Sequence, residues 1–230
     1  MVPFDAVYLI GFLPIGIIWA LFFFVRKDLR QEMLVTSALI GVLSLVTAYY
    51  WWTRDWWHPA TITHTRVGIE DFLMGFFTGG VMAAAYEVIF SKRFYKMKFG
   101  GVQRLGGLTI LLLLDCLMMY FFYALGFKSF YASSIALALT AIVMFWERPD
   151  LIIDGITSGF LMIAITSISY LTVYLISPSW IAQTYYPDGF GSIPVLGVPI
   201  EEFIFWFLAG LLFGPFYEYA RRLRLRRSRN

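Results

Sequence analysis

Apolar residues run along this chain in windows of about twenty, the length that carries an α-helix across a bilayer, separated by short polar or basic segments. The windows predict helices near residues 7–25, 33–52, 69–90, 105–126, 131–146, 151–177 and 200–219. The expected fold is therefore all-α, an integral-membrane bundle of seven transmembrane helices. The first window does not read as a cleavable signal, because no positive charge precedes it while Arg26 and Lys27 follow it.

Two helices open on acids. Pro199-Ile200-Glu201-Glu202-Phe203 starts the last one, and subtracting 131 from each number lands on Gly68-Ile69-Glu70-Asp71-Phe72. The register then holds for a whole helix: Phe76 matches Phe207, Gly79 matches Gly210, and Tyr86-Glu87 matches Tyr217-Glu218. Seven of nineteen aligned positions are identical, where composition alone gives about one or two. This reads as an internal duplication. The expected organisation is a three-helix repeat over residues 1–104, a linker helix over 105–130 and a second three-helix repeat over 131–230. Because one extra crossing separates them, the repeats run parallel about an axis along the membrane normal. Gly75, Gly79 and Ala83 in the third helix, with Gly210 and Gly214 in the seventh, predict that these two helices meet across that axis.

Composition fits the same class: 60% of residues are apolar, 20% aromatic and only 14% charged, against about a quarter charged in soluble proteins. The net charge of +3 conceals an asymmetry. Fifteen of the eighteen lysines and arginines fall in the segments 26–32, 92–104, 147–150 and the tail after Ala220. By the positive-inside rule the expected location is a multi-pass cell membrane, N-terminus outside and C-terminus cytoplasmic. The Arg221–Arg227 tail then reads as a contact with membrane lipid, and nucleic acid is not an expected partner.

Several chemistries drop out. A retinal Schiff base needs a buried lysine, and none follows Lys128. No glycine-rich turn joins a strand to a helix, so no dinucleotide or flavin is expected. Cys116 is the single cysteine, and Asp55, His58 and His64 match no standard zinc spacing, so neither a metal nor another cofactor is predicted. The acid pairs remain. On a helix Glu202 lies beside Phe205 and Trp206, and Glu201 beside Phe205. One reading is simple capping, since the first turn of a helix favours anions. In the other, two neighbouring carboxyls in a water-poor place hold a proton at neutral pH, and aromatic faces shelter the carbocation made when that proton reaches an alkene. Trp56 and Trp57 before the first acid pair, with Tyr185 and Tyr186 before the second, are either an interfacial belt or the walls of such a pocket. Tyr86-Glu87 and Tyr217-Glu218, near the other ends of their helices, read as interface anchors or inter-helix hydrogen-bond partners.

The doubled Pro-x-Glu-Glu-aromatic pattern, the tryptophan-rich loop before its first copy and the two three-helix halves resemble the small integral-membrane lycopene cyclase family. That resemblance implies redox-neutral cyclisation of the ψ-end groups of lycopene, with lycopene or a related carotenoid as the partner and no cofactor. It implies Glu201, Glu202, Glu70 and Asp71 as catalytic acids, with Phe203, Phe205, Trp206, Phe72, Trp56, Trp57, Tyr185 and Tyr186 against the substrate. The first copy departs from the pattern, with Gly68 in place of proline and Asp71 in place of a second glutamate. The second copy is therefore the expected reacting centre. A non-enzymatic carotenoid or isoprenoid binder and a proton-coupled transporter using Asp115 and Asp154 stay open on residues alone, as does a homodimer.

Overall fold

A computed structural model describes residues 2–96, 105–185, 194–195 and 197–227. The chain is an all-α membrane bundle. Its helices are α1 (Val7–Gly11), α2 (Leu13–Val25), α3 (Arg30–Thr47), α4 (Thr53–Asp55), α5 (Ile69–Ile89), α6 (Leu105–Ala124), α7 (Ser129–Glu147), α8 (Ile152–Ile176), α9 (Trp180–Thr184), α10 (Ile200–Phe213) and α11 (Phe216–Arg221). Among the described residues six helical stretches are long and apolar enough to cross a membrane: Phe4–Val25, Arg30–Asp55, Ile69–Ile89, Ser129–Glu147, Pro149–Ile176 and Ile200–Arg221. Helix α6 stands where the fourth crossing was expected, and turns Leu113, Leu117, Tyr120 and Phe121 outward along one face. Exposed apolar side chains such as Ile17, Leu21, Phe24, Phe160 and Leu175 make the same kind of surface on other spans, a face that only hydrocarbon satisfies.

Two expected continuous helices are interrupted, each at a proline. The first breaks at Phe12, and Pro14 lies in the first turn of α2, where its missing N–H costs nothing. The last, predicted without a break over 200–219, stops at Phe213 and restarts after Pro215, which cannot donate to the preceding turn. A third irregularity is a π-helical turn over Ala48–Trp52 at the end of α3, where Thr53 Oγ1 donates to the Ala48 carbonyl at 2.6 Å. The wider turn carries Trp52 to the bundle interior, where its ring meets Trp56 and Phe205 edge-on.

The small-residue stripes face the helices α3 and α8, which corrects the expected pairing of the third and seventh helices through them. A Cβ on Gly79 would stand 2.8 Å from Ile40 Cβ and 2.9 Å from the Thr36 carbonyl, both in α3. A Cβ on Gly210 would stand 2.7 Å from the Ser158 carbonyl and 2.8 Å from Gly159 Cα, both in α8. Helix α5 is thus seated on α3, and α10 on α8. Helices α5 and α10 do face one another, but across a cavity walled by Met74, Thr78 and Met82 on one side and Phe205, Ala209 and Phe213 on the other.

The basic end of the bundle is closed by a short ribbon that hydropathy did not foretell. Strand β1 (Lys92–Lys96) follows α5, strand β4 (Leu223–Arg227) follows α11, and they pair antiparallel. At the opposite end β2 (Pro194–Val195) and β3 (Val198–Pro199) form a small hairpin leading into α10. The two basic-end strands are anchored in the same way. Arg26 grips Asp28 with two hydrogen bonds of 2.9 Å and donates to the Lys92 carbonyl at 2.7 Å. Arg148 grips Asp150 at 2.8 and 2.9 Å and donates to the Leu223 carbonyl at 2.8 Å. The Asp28 carboxylate holds the Arg26 guanidinium above its usual pKa.

Candidate functional site

All four acids of the repeated motif are withdrawn from water, at 5% exposure or less. Burial of that kind requires hydrogen-bond donors, a proton or a counter-ion, and the four are satisfied differently. Asp71, the third residue of α5, accepts from the Gly68 N–H at 2.8 Å, the one half of a capping box that a glycine N-cap permits. Its other oxygen accepts from the Tyr8 hydroxyl at 3.1 Å. Glu70 turns to the preceding loop and accepts from the Ile62 N–H at 2.5 Å, its second oxygen having no partner. Glu202, at the equivalent place in α10, accepts from the Tyr170 hydroxyl, which in turn accepts from Trp206 Nε1 at 3.3 Å. The Tyr185 phenol stands 3.4 Å from that of Tyr170. Burial pushes the Tyr185 phenol well above its usual pKa, and the Glu202 charge beside it adds to the shift. Glu201 keeps one oxygen without a partner.

Three adjoining cavities, of about 440, 290 and 570 Å³, share Met74 and Trp206 in their walls. The first is lined by Tyr8, Trp57, Tyr170, Trp180 and Tyr185, so the tyrosine partners of Asp71 and Glu202 face one space. The smallest has Glu202 itself in its wall, among Trp52, Trp56, Trp57, Phe205 and Trp206. The largest continues between α5 and α10 and is almost wholly apolar, with Asp115 and Ser133 among its polar lining groups. Trp56 packs edge-on against Phe205 at 5.0 Å, and Trp57 against Tyr8 at 5.1 Å. These rings are pocket walls, buried within the protein rather than laid at its surface.

Phe205, Trp206, Trp56, Trp57 and Tyr185 thus converge on Glu202. Phe72 does not: it lies toward Gly41 of α3 and against Phe76. Phe203 is half-buried at the edge of the core and lines none of the three cavities. Glu201 and Glu70 line none of them either. Tyr186 lies outside the described residues. Asp55 caps another element, accepting from the Ser129 N–H at 3.1 Å and from its hydroxyl, and His64 lies 3.8 Å from Asp5.

Sequence reasoning missed Tyr8 and Tyr170, whereas Trp52 and Trp180 stand in the two aromatic loops that it offered as pocket walls. The available signal for the tyrosines was a hydroxyl inside an apolar run, which needs a partner wherever it is buried. Of the two readings of Glu87 and Glu218, the inter-helix contact holds and the interface anchor does not. Both are almost completely buried, so they are not interface anchors. They meet Glu32, all three offering carboxylate oxygens within 4.8 Å of one another. A repeated pattern marks this second group: Arg26-x-Asp28-Leu29-x-x-Glu32 recurs 122 positions on as Arg148-x-Asp150-Leu151-x-x-Asp154.

Taken together, the fold and these cavities define a helical membrane protein that holds carboxylic acids against aromatic walls, a setting made for an apolar, unsaturated guest. The particular family follows from a comparison of the chain with family models. This chain belongs to the lycopene cyclase family, whose model, described as Lycopene cyclase, matches residues 6–89 and 128–220. It is accordingly a carotenoid cyclase, an enzyme that acts on carotenoids. No curated protein and no solved structure is similar enough to match it.

Proposed function

We propose that this chain is a lycopene β-cyclase-like enzyme that closes ψ-end groups by proton-initiated, redox-neutral isomerisation, with Glu202 as the acid. The observation that carries this reading is the placement of Glu202 in the wall of an aromatic cavity, held by Tyr170, while Tyr8 and its partner Asp71 face the adjoining space. In the step proposed, the Glu202 carboxyl gives its proton to the terminal C=C of the substrate, leaving a tertiary cation. A second C=C supplies the electron pair for the ring-closing C–C bond, and the charge moves into the ring. A ring proton then leaves to the Tyr8 oxygen as Tyr8 passes its own proton to Asp71, and the two acids re-equilibrate before the next turnover. Protons balance and no electrons are exchanged, so the mechanism calls for no redox cofactor. The faces of Trp52, Trp56, Phe205 and Trp206 attract the cation in between. Glu201 and Glu70 take supporting places.

We also read the chain as two related halves, 1–104 and 131–230, joined by a linker over 105–130, with the basic ends of the helices cytoplasmic and in contact with lipid. The recurrent arginine grips at Arg26 and Arg148 support the first statement, and the distribution of cations supports the second.

The test is expression in lycopene-producing cells. Wild type is expected to give ring-bearing product, and Glu202→Gln, folded by fluorescence-detected size exclusion, to leave lycopene unaltered. Unaltered lycopene with folded wild-type protein, or full conversion by Glu202→Gln, overturns the assignment.

A further inference from the structure

The basic end of the bundle holds acids that cyclisation does not use. Glu32 of α3, Glu87 of α5 and Glu218 of α11 come together with carboxylate oxygens within 4.8 Å of one another, each residue at most 1% exposed. Asp154, in the first turn of α8, adds an independent observation. It is 3% exposed and within electrostatic range of Glu32, Glu87 and Glu218. Its Oδ1 accepts from the Ser158 hydroxyl at 3.2 Å, while its buried Oδ2 has no partner. Both oxygens of Glu32 are buried without a hydrogen bond among the described residues as well, while Glu218 and Glu87 stand close enough to share one between their carboxyls.

Among the described residues, the hydrogen bonds of the nearby cations go mainly to other groups, with Arg148 Nη1 buried and unpartnered and with Arg26 and Lys92 still within electrostatic range of Glu87. Arg26 gives its guanidinium to Asp28 and to the backbone carbonyls of Glu87 and Lys92. Arg148 gives its own to Asp150 and the Leu223 carbonyl. The Lys92 ammonium sits over the Tyr86 ring, 5.6 Å from its centroid. Carboxylates gathered out of water without partners are among the costliest arrangements a protein can hold. The donors are all oxygen, with no histidine or thiol, which selects a hard divalent cation over zinc or copper. At metal–oxygen distances of about 2.0–2.6 Å, two ligands of one ion stand at most about 4–5 Å apart, the spacing the three glutamates present.

We propose that Glu32, Glu87, Glu218 and Asp154 bind a hard divalent cation of the Mg²⁺, Mn²⁺ or Ca²⁺ class, which ties α3, α5, α8 and α11 together at the basic end. The site is structural, set apart from the Glu202 cavity by the length of α10. It stands or falls independently of the cyclase reading.

The experiment uses the full chain in nanodiscs, stripped with chelator and titrated with Mn²⁺, Ca²⁺ and Mg²⁺. Mn²⁺ binding is read by electron paramagnetic resonance, and the other two by the shift in thermal unfolding. The expected result is one ion per chain and a higher unfolding temperature. A Glu32→Gln/Glu218→Gln variant is expected to bind at least tenfold more weakly, while Glu202→Gln keeps the ion although it has lost cyclisation. Should the double variant not fold, Asp154→Asn replaces it, with the same weakening expected. Wild type that binds none of the three ions overturns the proposal, and so does binding that these substitutions leave unchanged. Either outcome would mean that the four acids are neutralised by shared protons instead.

Discussion

Replacing Tyr170 by phenylalanine removes one oxygen and leaves the ring, so it tests the hydroxyl without opening a cavity. That hydroxyl donates to Glu202 and accepts from Trp206 Nε1. The Glu202 that delivers a proton is neutral, so this bond contributes about 0.5–1.5 kcal/mol net, and a buried donor left without an acceptor costs about 1–3 kcal/mol. Trp206 is buried, and its indole N–H has the Tyr170 oxygen as acceptor at 3.3 Å, with Glu202 also within its reach. Tyr170→Phe is therefore expected to lower stability by about 1–3 kcal/mol and to leave Glu202 free to turn away from the cavity. If the same 0.5–1.5 kcal/mol is lost from the geometry in which Glu202 delivers its proton, the rate falls by about two- to tenfold. The assay is the initial rate of lycopene conversion in proteoliposomes, normalised to folded protein, with thermal unfolding measured alongside. A variant that is destabilised as expected yet cyclises at the wild-type rate refutes the role given to Tyr170, since its hydroxyl would then hold the fold and not the acid.

Pro199→Ala restores a backbone N–H at the N-cap of α10, able to recapture Glu202 in a capping box worth about 1 kcal/mol. Cyclisation is expected to fall several-fold while thermal stability holds or rises, and unchanged turnover counts against it. Gly210→Ala places a methyl 2.7 Å from the Ser158 carbonyl and 2.8 Å from Gly159 Cα. Neither neighbour is a flexible side-chain end, so unfolding in detergent should show a loss of about 1–3 kcal/mol. Asp55→Ala frees the Ser129 N–H and hydroxyl at the start of α7. A cost of about 1–2 kcal/mol in thermal stability is expected, with Asp55→Asn recovering part of it.

The spans were legible because hydropathy in a bilayer-length window depends on composition, and tertiary contacts change it little. The breaks at Phe12 and Pro215 were legible in principle too, since each lies next to a proline, but a window averages over one residue. Which residues line the site was only partly legible. Helical spacing put Phe205 and Trp206 beside Glu202, and both wall the cavity with it. The same spacing sets Phe203, the immediate neighbour of Glu202, on another face; its place in the expected site rested on the resemblance alone, and it lines none of the cavities. Tyr8 and Tyr170 are separated from their acids by 63 and 32 positions, and local periodicity carries no information on such pairs. The basic-end acids were hidden for another reason. Glu87 and Glu218 are related by an offset of 131, whereas the start of α3 maps onto the start of α8 at 122, so no single offset brings Glu32 and Asp154 into register along with them.

The two copies of the acid motif look interchangeable along the sequence, yet one residue ahead of each gives them different work. The second acid of each pair sits at the third helical position, where a carboxylate ordinarily reaches back to the N–H of the N-cap residue. In the first copy that residue is Gly68, its N–H is available, and Asp71 takes it. In the second copy the residue is Pro199, which has no N–H to offer. Glu202 is thereby released from its own helix and is held by side chains instead, Tyr170 foremost, at the wall of the cavity. Glutamate is also one methylene longer than aspartate, which extends its reach from the helix start toward Tyr170. The proline that marks a helix start thus withholds the backbone donor that would have turned this acid into a cap. On this account the departure of the first copy at Gly68 and Asp71 is a division of roles: one acid fixed to the backbone and joined to the cavity through Tyr8, the other presented to it directly.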